Sequence, residues 1–151
     1  MDKYTVASPF GDLTFTLERD ALIALDWHGG HASPNTGLAA DVARQLDEYF
    51  HHGRQTFTLP LAGFTSDFSK RFADAMCAIP FGDTQTYGDI AAATGVSAQA
   101  AGQACGANRI PIIIPCHRVM GAKGLVGYSG AGGVETKVTL LRHEGAGGFL
   151  I

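Results

Sequence analysis

The residues best suited to chemistry are Cys116 and His117, which are adjacent in the stretch PIIIPCHRV (residues 111–119). A free cysteine is only a few per cent thiolate at neutral pH, so a nucleophilic one needs a base or a positive charge nearby. Neighbouring side chains on a strand point to opposite faces, so the imidazole reaches the sulfur only if the chain turns after Pro115. Glu144, in LLRHEG, could orient the imidazole. The pattern predicts a Cys–His–Glu nucleophilic site, and the dipeptide alone leaves a buried structural thiol open.

The other two cysteines, Cys77 and Cys105, lie in apolar helical stretches and are expected to be buried structural thiols. Three cysteines are an odd number, and none has the Cys-X-X-Cys spacing of a structural zinc site. The paired histidines of the N-terminal half have no cysteine near them in the sequence. We therefore expect reduced thiols in a reducing compartment, and no metal site.

Charge is unevenly distributed along the 151 residues, although the net charge is only −3. Residues 1–60 carry four Lys or Arg against eight Asp or Glu, whereas residues 90–134 contain Arg109, Arg118 and Lys123 and no acidic residue. A polyanion is expected to bind this basic segment, which also holds the candidate nucleophile. No apolar run approaches the ~20 residues of a membrane span. The N-terminal sequence lacks the build of a signal peptide, so we expect a cytoplasmic protein.

Periodicity predicts a small α/β lobe over residues 1–62. Apolar residues alternate in DLTFTLE and ALIALDW, as in antiparallel strands joined by short turns. The stretch GLAADVARQLDEYFHHG then has helical spacing, and RQTFTLPLAG is expected to return to a short strand. None of these segments carries a chemical motif, so we interpret the lobe as a scaffold.

Residues 63–151 are expected to form a second, mostly helical domain that carries the chemistry. Thr65 or Ser66 can cap a first helix, TYGDIAAATG forms a second that Gly95 ends, and Ser97 caps a third. Two short helices about a tight Gly-Val-Ser turn are typical of a helix-turn-helix. The third helix, AQAAGQACGAN, has almost no large side chains, which allows close packing on another helix or close approach to a DNA minor groove.

The C-terminal motifs FGDTQTYGDIA, GQACGAN, IPCHRV and GLVGYSGAGGVETKVTLLRHEG occur in this order between about Thr65 and Gly145. Together they resemble the O6-alkylguanine-DNA alkyltransferases, the methylated-DNA–protein-cysteine methyltransferase family. The resemblance implies an α+β fold. A small ribonuclease H-like N-terminal α/β lobe would precede a mostly helical C-terminal lobe with a winged-helix-like helix-turn-helix and an active-site cysteine.

The resemblance also implies DNA repair in a single turnover. The protein would bind double-stranded DNA through the minor groove, flip O6-alkylguanine out of the duplex and transfer its methyl or alkyl group irreversibly to Cys116. O4-alkylthymine is a second candidate substrate, no cofactor is needed, and a monomer is expected. The isoleucine run would be a rigid strand that ends at Pro115 and fixes the thiol in a pocket which only an extruded nucleotide reaches.

By motif position, the resemblance implies a role for each residue of the site. His117 would act as a base through a water, Glu144 would orient it, and Asn108 would tie the recognition helix to the active-site strand. The residues expected to contact DNA or the base are Tyr87, Gln99, Ala100, Gly102, Arg118, Val119, Tyr128 and Ser129. Among them, Tyr87 would push on the target phosphate, Val119 would offer its carbonyl to the exocyclic amine of guanine, and the last two would face the O6 side.

One position departs from the family pattern, because Gln99 stands where the family has an intercalating arginine. Glutamine is shorter and stacks poorly, so the extruded state is expected to lose about 1–3 kcal/mol of support. The chain is then a natural weak repairer, an engineered variant, or a diverged protein that binds lesions or uses another alkyl donor. Two other classes fit less well: a transcription regulator needs base-reading side chains on its second helix, and a cysteine hydrolase needs an oxyanion hole.

Overall fold

The computed structural model describes residues 1–121 and 134–146, and the chain divides into two compact units, residues 1–63 and 64–151. Within the described ranges, the first unit holds a three-stranded sheet and a helix, and the second holds four α-helices and a two-stranded ladder. None of the helices in these ranges is long and apolar enough to span a bilayer.

The sheet of the first unit is an antiparallel meander of β1 (Asp2–Ser8), β2 (Gly11–Glu18) and β3 (Ala21–Asp26). The loop between β2 and β3 places Arg19 and Asp20 at φ angles of 51° and 62°. Positive φ at both loop residues is the type I′ geometry, whose twist matches that of the flanking strands. The strands predicted in DLTFTLE and ALIALDW are confirmed.

The helix of the first unit, α1 (Gly37–His51), buries one apolar face. Val42, Leu46 and Tyr49 are at most 1% exposed, and the ring of Phe50 packs edge-on against Phe10 with 5.5 Å between centroids. The helical spacing of this stretch predicted the same face.

The strand predicted in RQTFTLPLAG is wrong. The segment makes only an isolated bridge between Leu61 and Leu22, with hydrogen bonds on either side of it. Pro60 has no amide hydrogen to continue a ladder. The Thr58 amide is also not available to pair with a neighbouring strand, because it donates to Oε1 of Gln45 at 2.9 Å.

The helices of the second unit are α2 (Asp67–Cys77), α3 (Tyr87–Thr94), α4 (Ala98–Gly106) and α5 (Val134–His143). Ser66 forms a capping box at the start of α2, and the Ser97 hydroxyl accepts from the Ala100 amide at the start of α4. Gly95 ends α3 in the left-handed region with φ of 76°, a conformation that glycine adopts at little cost. The helix starts and the stop that the sequence predicted are confirmed, and α3 and α4 form the helix-turn-helix.

The isoleucine run before Cys116 is a series of turns, so the predicted active-site strand is wrong. Its turn hydrogen bonds include Ile114 N to Ile110 O at 2.9 Å, and Ile112 has a φ of 72° that no strand contains. The run is apolar because its side chains are buried, each at most 5% exposed. The strand that follows the run is short: β5 (Val119–Met120) has two residues, which pair in parallel with β4 (Gln85–Thr86).

Candidate active site

Cys116 begins a single 3₁₀ turn, Cys116–Arg118, and its side chain is buried at 1% exposure. The turn follows Pro115 and is closed by hydrogen bonds from the Arg118 amide to the Pro115 carbonyl and from the Val119 amide to the Cys116 carbonyl. The chain therefore changes direction directly after the proline. From the sequence, such a turn after Pro115 was required for the imidazole of His117 to reach the sulfur of Cys116.

Asn108 clamps the turns that precede the cysteine. Its Nδ2 donates to the Ile114 carbonyl at 2.8 Å, and its Oδ1 accepts from the Ile110 amide at 3.0 Å. Because Asn108 follows α4 by two residues, these bonds connect the end of the helix to the backbone that carries Cys116. Its predicted contact is thus to a turn rather than to a strand.

His117 and Glu144 form a fully buried pair. The imidazole Nε2 lies 2.7 Å from Oε2 of Glu144, and neither side chain is exposed. Glu144 directly follows α5, so two segments 27 residues apart meet here. The structure brings together these two members of the predicted triad.

The protonation states of this pair follow from their surroundings. Burial alone would raise the pKa of Glu144, but hydrogen bonds from His117 and Arg118 outweigh burial and hold that pKa at about 2. Burial lowers the pKa of His117, and its partner Glu144 only partly opposes this effect. A neutral imidazole facing a carboxylate donates from Nε2, so Nδ1 keeps its lone pair. Nδ1 is buried and has no hydrogen-bond partner among the described residues.

Acid is expected to destabilise the protein in two steps. The lowered pKa of His117 gives stability that is present above pH 6.5, the ordinary value, and is lost below it as the unfolded chain takes up a proton. The lowered pKa of Glu144 gives stability that is present above pH 4.5 and lost as the pH falls toward about 2. Urea unfolding between pH 8 and pH 3 measures this loss, and a midpoint that does not change over the range contradicts it.

Arg118 holds Glu144 from the other side. Its Nε and Nη2 donate to the two carboxylate oxygens at 2.7 and 2.9 Å, and Nη1 donates to the Ile79 carbonyl at 2.7 Å. The guanidinium also lies over the ring of Phe81, 5.8 Å from its centroid. The residue is 5% exposed, so this placement argues against the direct DNA contact expected from the sequence.

Lys137 is a site residue that the sequence analysis missed. It is fully buried on α5, and its Nζ donates to the Val119 carbonyl at 2.6 Å. Burial lowers the pKa of this amine, while negative charge on the sulfurs of Cys105 and Cys116 acts to raise it. That attraction is mutual, so an ammonium at Lys137 favours a thiolate at Cys116.

A sequence signal for Lys137 existed. Lys137 precedes Leu140, Leu141 and Glu144 by three, four and seven residues, so it belongs to the buried stripe of the last helix. A lysine in such a stripe needs a polar partner inside the protein. Its partner is the Val119 carbonyl, the group that was expected to accept from the exocyclic amine of guanine.

The predicted contact surface on α4 is open. Gln99 is exposed, and Ala100 and Gly102 are partly exposed. A Cβ built on Gly102 would meet nothing within 4 Å, so packing among the described residues does not require glycine there. This favours the second explanation for the bare helix, the close approach of an external surface.

Gly102→Ala is therefore expected to have opposite effects on stability and binding. Alanine should raise the free energy of unfolding by about 0.5–1 kcal/mol, because glycine is a poor helix former. The same methyl group should weaken duplex binding roughly tenfold, since overpacking a close contact costs about 1–3 kcal/mol. Urea unfolding and fluorescence anisotropy measure the two effects. Gly106→Ala, at the exposed end of α4, should leave binding unchanged, and a loss common to both variants would count against a specific approach at Gly102.

Tyr87 is partly exposed at the start of α3, and burial is the main cause that raises the pKa of its hydroxyl to about 12. Tyr128 and Ser129 lie outside the described residues.

Cys77 is exposed rather than buried, so the expectation of a buried thiol there is wrong. Among the residues that the structure describes, no group of three His, Cys, Asp or Glu side chains is arranged to hold a metal ion.

A helix-turn-helix beside a buried cysteine, histidine and glutamate is the arrangement expected of a DNA-binding protein with a reactive thiol. Residues 2–62 match the family described as 6-O-methylguanine DNA methyltransferase, ribonuclease-like domain, and residues 67–146 match the DNA binding domain of the same enzyme. The chain belongs to the 6-O-methylguanine DNA methyltransferase family. The family and the α+β fold class predicted from the sequence are confirmed.

Similar proteins support this assignment over nearly the whole chain. The constitutive methylated-DNA–protein-cysteine methyltransferase of Bacillus subtilis is 37% identical over 95% of this chain and 96% of its own. The Mycobacterium leprae methylated-DNA–protein-cysteine methyltransferase is 42% identical over 74% of this chain and 68% of its own. The crystal structure of Mycobacterium tuberculosis OGT in complex with DNA has a TM-score of 0.83 at 36% identity, covering 99% of this chain and 98% of that one.

Proposed function

We propose that this protein repairs DNA by moving a methyl or larger alkyl group from O6 of guanine to the sulfur of Cys116. The transfer is irreversible, so each molecule acts once and needs no cofactor. O4-alkylthymine is a second candidate substrate. The single observation that carries the proposal is the buried turn at Cys116, next to an imidazole that Glu144 holds with Nδ1 available.

The chemistry follows from these groups. The Cys116 proton passes through a water to Nδ1 of His117, and the charge that develops on the imidazole is balanced by Glu144. The thiolate attacks the alkyl carbon in line, the carbon–O6 bond breaks, and its electron pair remains on the guanine oxygen. The guanine anion then takes up a proton, and the sulfur is left as a thioether. A thioether is not a leaving group here, which explains the single turnover.

Arg118 and Lys137 complete the site in this proposal. Arg118 fixes the carboxylate of Glu144 and so indirectly fixes the imidazole, which makes it a positioning residue. Lys137 places a positive charge near the sulfur of Cys116 and favours the thiolate before attack. Asn108 keeps the backbone of the cysteine in place relative to α4.

The DNA side of the proposal concerns residues 63–151. The bare surface of α4 approaches the minor groove, and the damaged base is flipped toward Cys116. Tyr87 pushes on the target phosphate, and by family resemblance Tyr128 and Ser129 would contact the O6 side of the base. Residues 1–62 act as a scaffold lobe. We further propose a monomer that works in the cytoplasm, where its three free cysteines stay reduced.

The alternative, a diverged protein that only binds lesions or uses another alkyl donor, is not favoured. Cys116 is present with its histidine and glutamate, and the similar proteins of Bacillus subtilis and Mycobacterium leprae are named as methyltransferases. A protein that binds lesions without repairing them has no use for a cysteine held in this way.

Intact-protein mass spectrometry tests the proposal. The protein is incubated with duplex DNA carrying one O6-methylguanine, beside a Cys116→Ser control. We expect a gain of one methyl group per molecule, mapped to Cys116 and absent from the control. Lesion binding without a mass gain would overturn transfer in favour of recognition, and repeated turnover of substrate would overturn the suicide mechanism.

A further inference from the structure

The turn between α2 and β4, residues 79–83, holds the guanidinium of Arg118. Arg118 donates from Nη1 to the Ile79 carbonyl at 2.7 Å, and its guanidinium lies over the Phe81 ring, 5.8 Å from the centroid. The turn is closed by a backbone hydrogen bond of 3.0 Å from the amide of its fifth residue to the carbonyl of its second. The carbonyl and the ring that hold the guanidinium therefore have fixed places.

The same turn lies against the backbone of Glu144. A Cβ built on Gly82 would be 3.3 Å from the Glu144 carbonyl oxygen, which is closer than ordinary van der Waals contact. The Phe81 ring also meets the ring of His143 edge-on, with 6.4 Å between centroids. Glu144 is thus contacted by the turn through its backbone and by Arg118 through its carboxylate.

Core packing does not account for the residues found in this turn. Ile79 is 1% exposed and anchors the turn, but Phe81 and Gly82 are partly exposed. Gly82 has a φ of 89°, which strains any other residue, and a side chain there would also press on Glu144. Phe81 and Gly82 have in common that both contact the residues that support the imidazole.

We propose that the 79–83 turn is a positioning element for the transfer, and that Phe81 and Gly82 are its positioning residues. They hold the Glu144–Arg118 ion pair, whose carboxylate fixes the imidazole that takes up the thiol proton. The inference rests on the proposed function, since it gives the turn a part in that reaction.

The contacts form a continuous path from the turn to the reacting proton. Arg118 directs Nε and Nη2 at the two carboxylate oxygens of Glu144, at 2.7 and 2.9 Å. One of these oxygens lies 2.7 Å from Nε2 of His117. All of these hydrogen bonds are buried, so a contact that lengthens is costly in its low-dielectric surroundings. A shift of the turn therefore moves Nδ1, which accepts the thiol proton in the proposed reaction.

Gly82→Ala tests the proposal without needing DNA, and Gly53→Ala is its matched control. Both glycines have positive φ, 89° and 75°, so alanine is strained at each, but a Cβ on Gly53 would meet nothing within 4 Å. The readout is the low-field proton resonance of the His117 Nε2–H, which reports the short hydrogen bond to Glu144 and is assigned with His117→Asn. We expect this resonance to move upfield in Gly82→Ala and to stay in place in Gly53→Ala.

The single-turnover rate on duplex O6-methylguanine DNA is measured with the same variants at saturating DNA, together with the affinity for that DNA. The added methyl group displaces Glu144 by a few tenths of an ångström. We expect Gly82→Ala to lower the saturated rate roughly tenfold, since a misplacement of about 1 Å can cost about a hundredfold. Affinity should not fall with it, because the displaced groups hold a proton acceptor and not the duplex. Gly53→Ala should change neither quantity.

If Gly82→Ala does not fold, Phe81→Leu and Phe81→Tyr replace it, because tyrosine keeps the ring under the guanidinium and leucine removes it. Leucine should then move the resonance and slow transfer, and tyrosine should preserve both. An unmoved resonance, an unchanged saturated rate, or equal changes in the variant and its control would overturn the proposal. A wild-type protein that shows the resonance but transfers no methyl group would instead overturn the proposed function.

Discussion

Glu144→Gln is expected to lower the free energy of unfolding by about 3–5 kcal/mol, because it leaves a buried guanidinium without its counter-charge. Arg118 is 5% exposed and directs two of its nitrogens at the Glu144 carboxylate. Glutamine keeps the size of the side chain but offers one acceptor oxygen and no charge. His117 would also lose the carboxylate that fixes its tautomer, so methyl transfer should slow as well.

The chain offers a matched control in the same unit. Asp74 pairs with Lys70 at 2.6 Å, but the two side chains are 64% and 54% exposed. Asp74→Asn makes the same chemical change in an exposed pair, and such pairs contribute only about 0–1 kcal/mol. Urea unfolding of both variants at pH 7 measures the difference. Equal losses would show that burial of the Glu144–Arg118 pair adds nothing to the cost of removing its negative charge.

The local features of this fold could be predicted from the sequence, because each depends on a few neighbouring residues. A hydroxyl at Ser66 or Ser97 satisfies free amides of the helix that follows it, and Gly95 accepts a positive φ. The period of the apolar residues alone predicts a strand at β2 and a helix at α1, although the threonines of β2 are buried together with its apolar residues.

The failures have a common cause, which is competition from distant or specific partners. The Ile110–Pro115 run is apolar enough for a buried strand, but prolines within it and the clamp from Asn108 hold it in turns. In the 54–63 segment, Gln45 satisfies the backbone of Thr58 that a strand would have used. The spacing of apolar residues along the sequence does not predict either of these competing hydrogen bonds.

The site residues that belong to a sequence motif could be predicted. Those whose role depends on burial against a distant partner could be predicted less well. Cys116 and His117 follow from adjacency and resemblance, and the contact to Glu144 was a reasonable expectation. Arg118 was expected to contact DNA from its motif position after the cysteine, and an arginine side chain is usually exposed. Its burial depends on a carboxylate 26 residues away, and Lys137 likewise depends on a carbonyl 18 residues before it.

Gln99→Arg is expected to raise the single-turnover rate of methyl transfer by roughly 5- to 150-fold, corresponding to about 1–3 kcal/mol from stacking and cation–π contact. Flipping a base leaves a gap in the duplex and costs stacking free energy, and a side chain that fills the gap offsets part of that cost. Gln99 is exposed in the first turn of α4, where an arginine could extend without disturbing the core. The gain should be largest at DNA concentrations below saturation.

A second substitution separates base-gap filling from simple attraction to phosphates. Gln103→Arg adds the same charge at an exposed position one turn further along α4, and it should raise affinity in a salt-sensitive manner with little effect on the rate at saturating DNA. The rate gain of Gln99→Arg should persist at saturation and at moderate salt, because it acts on the flipped state rather than on encounter. Equal gains from the two variants, both abolished by salt, would show that an arginine at position 99 contributes charge and does not fill the gap left by the flipped base. The glutamine at position 99 would then weaken association with DNA rather than base extrusion.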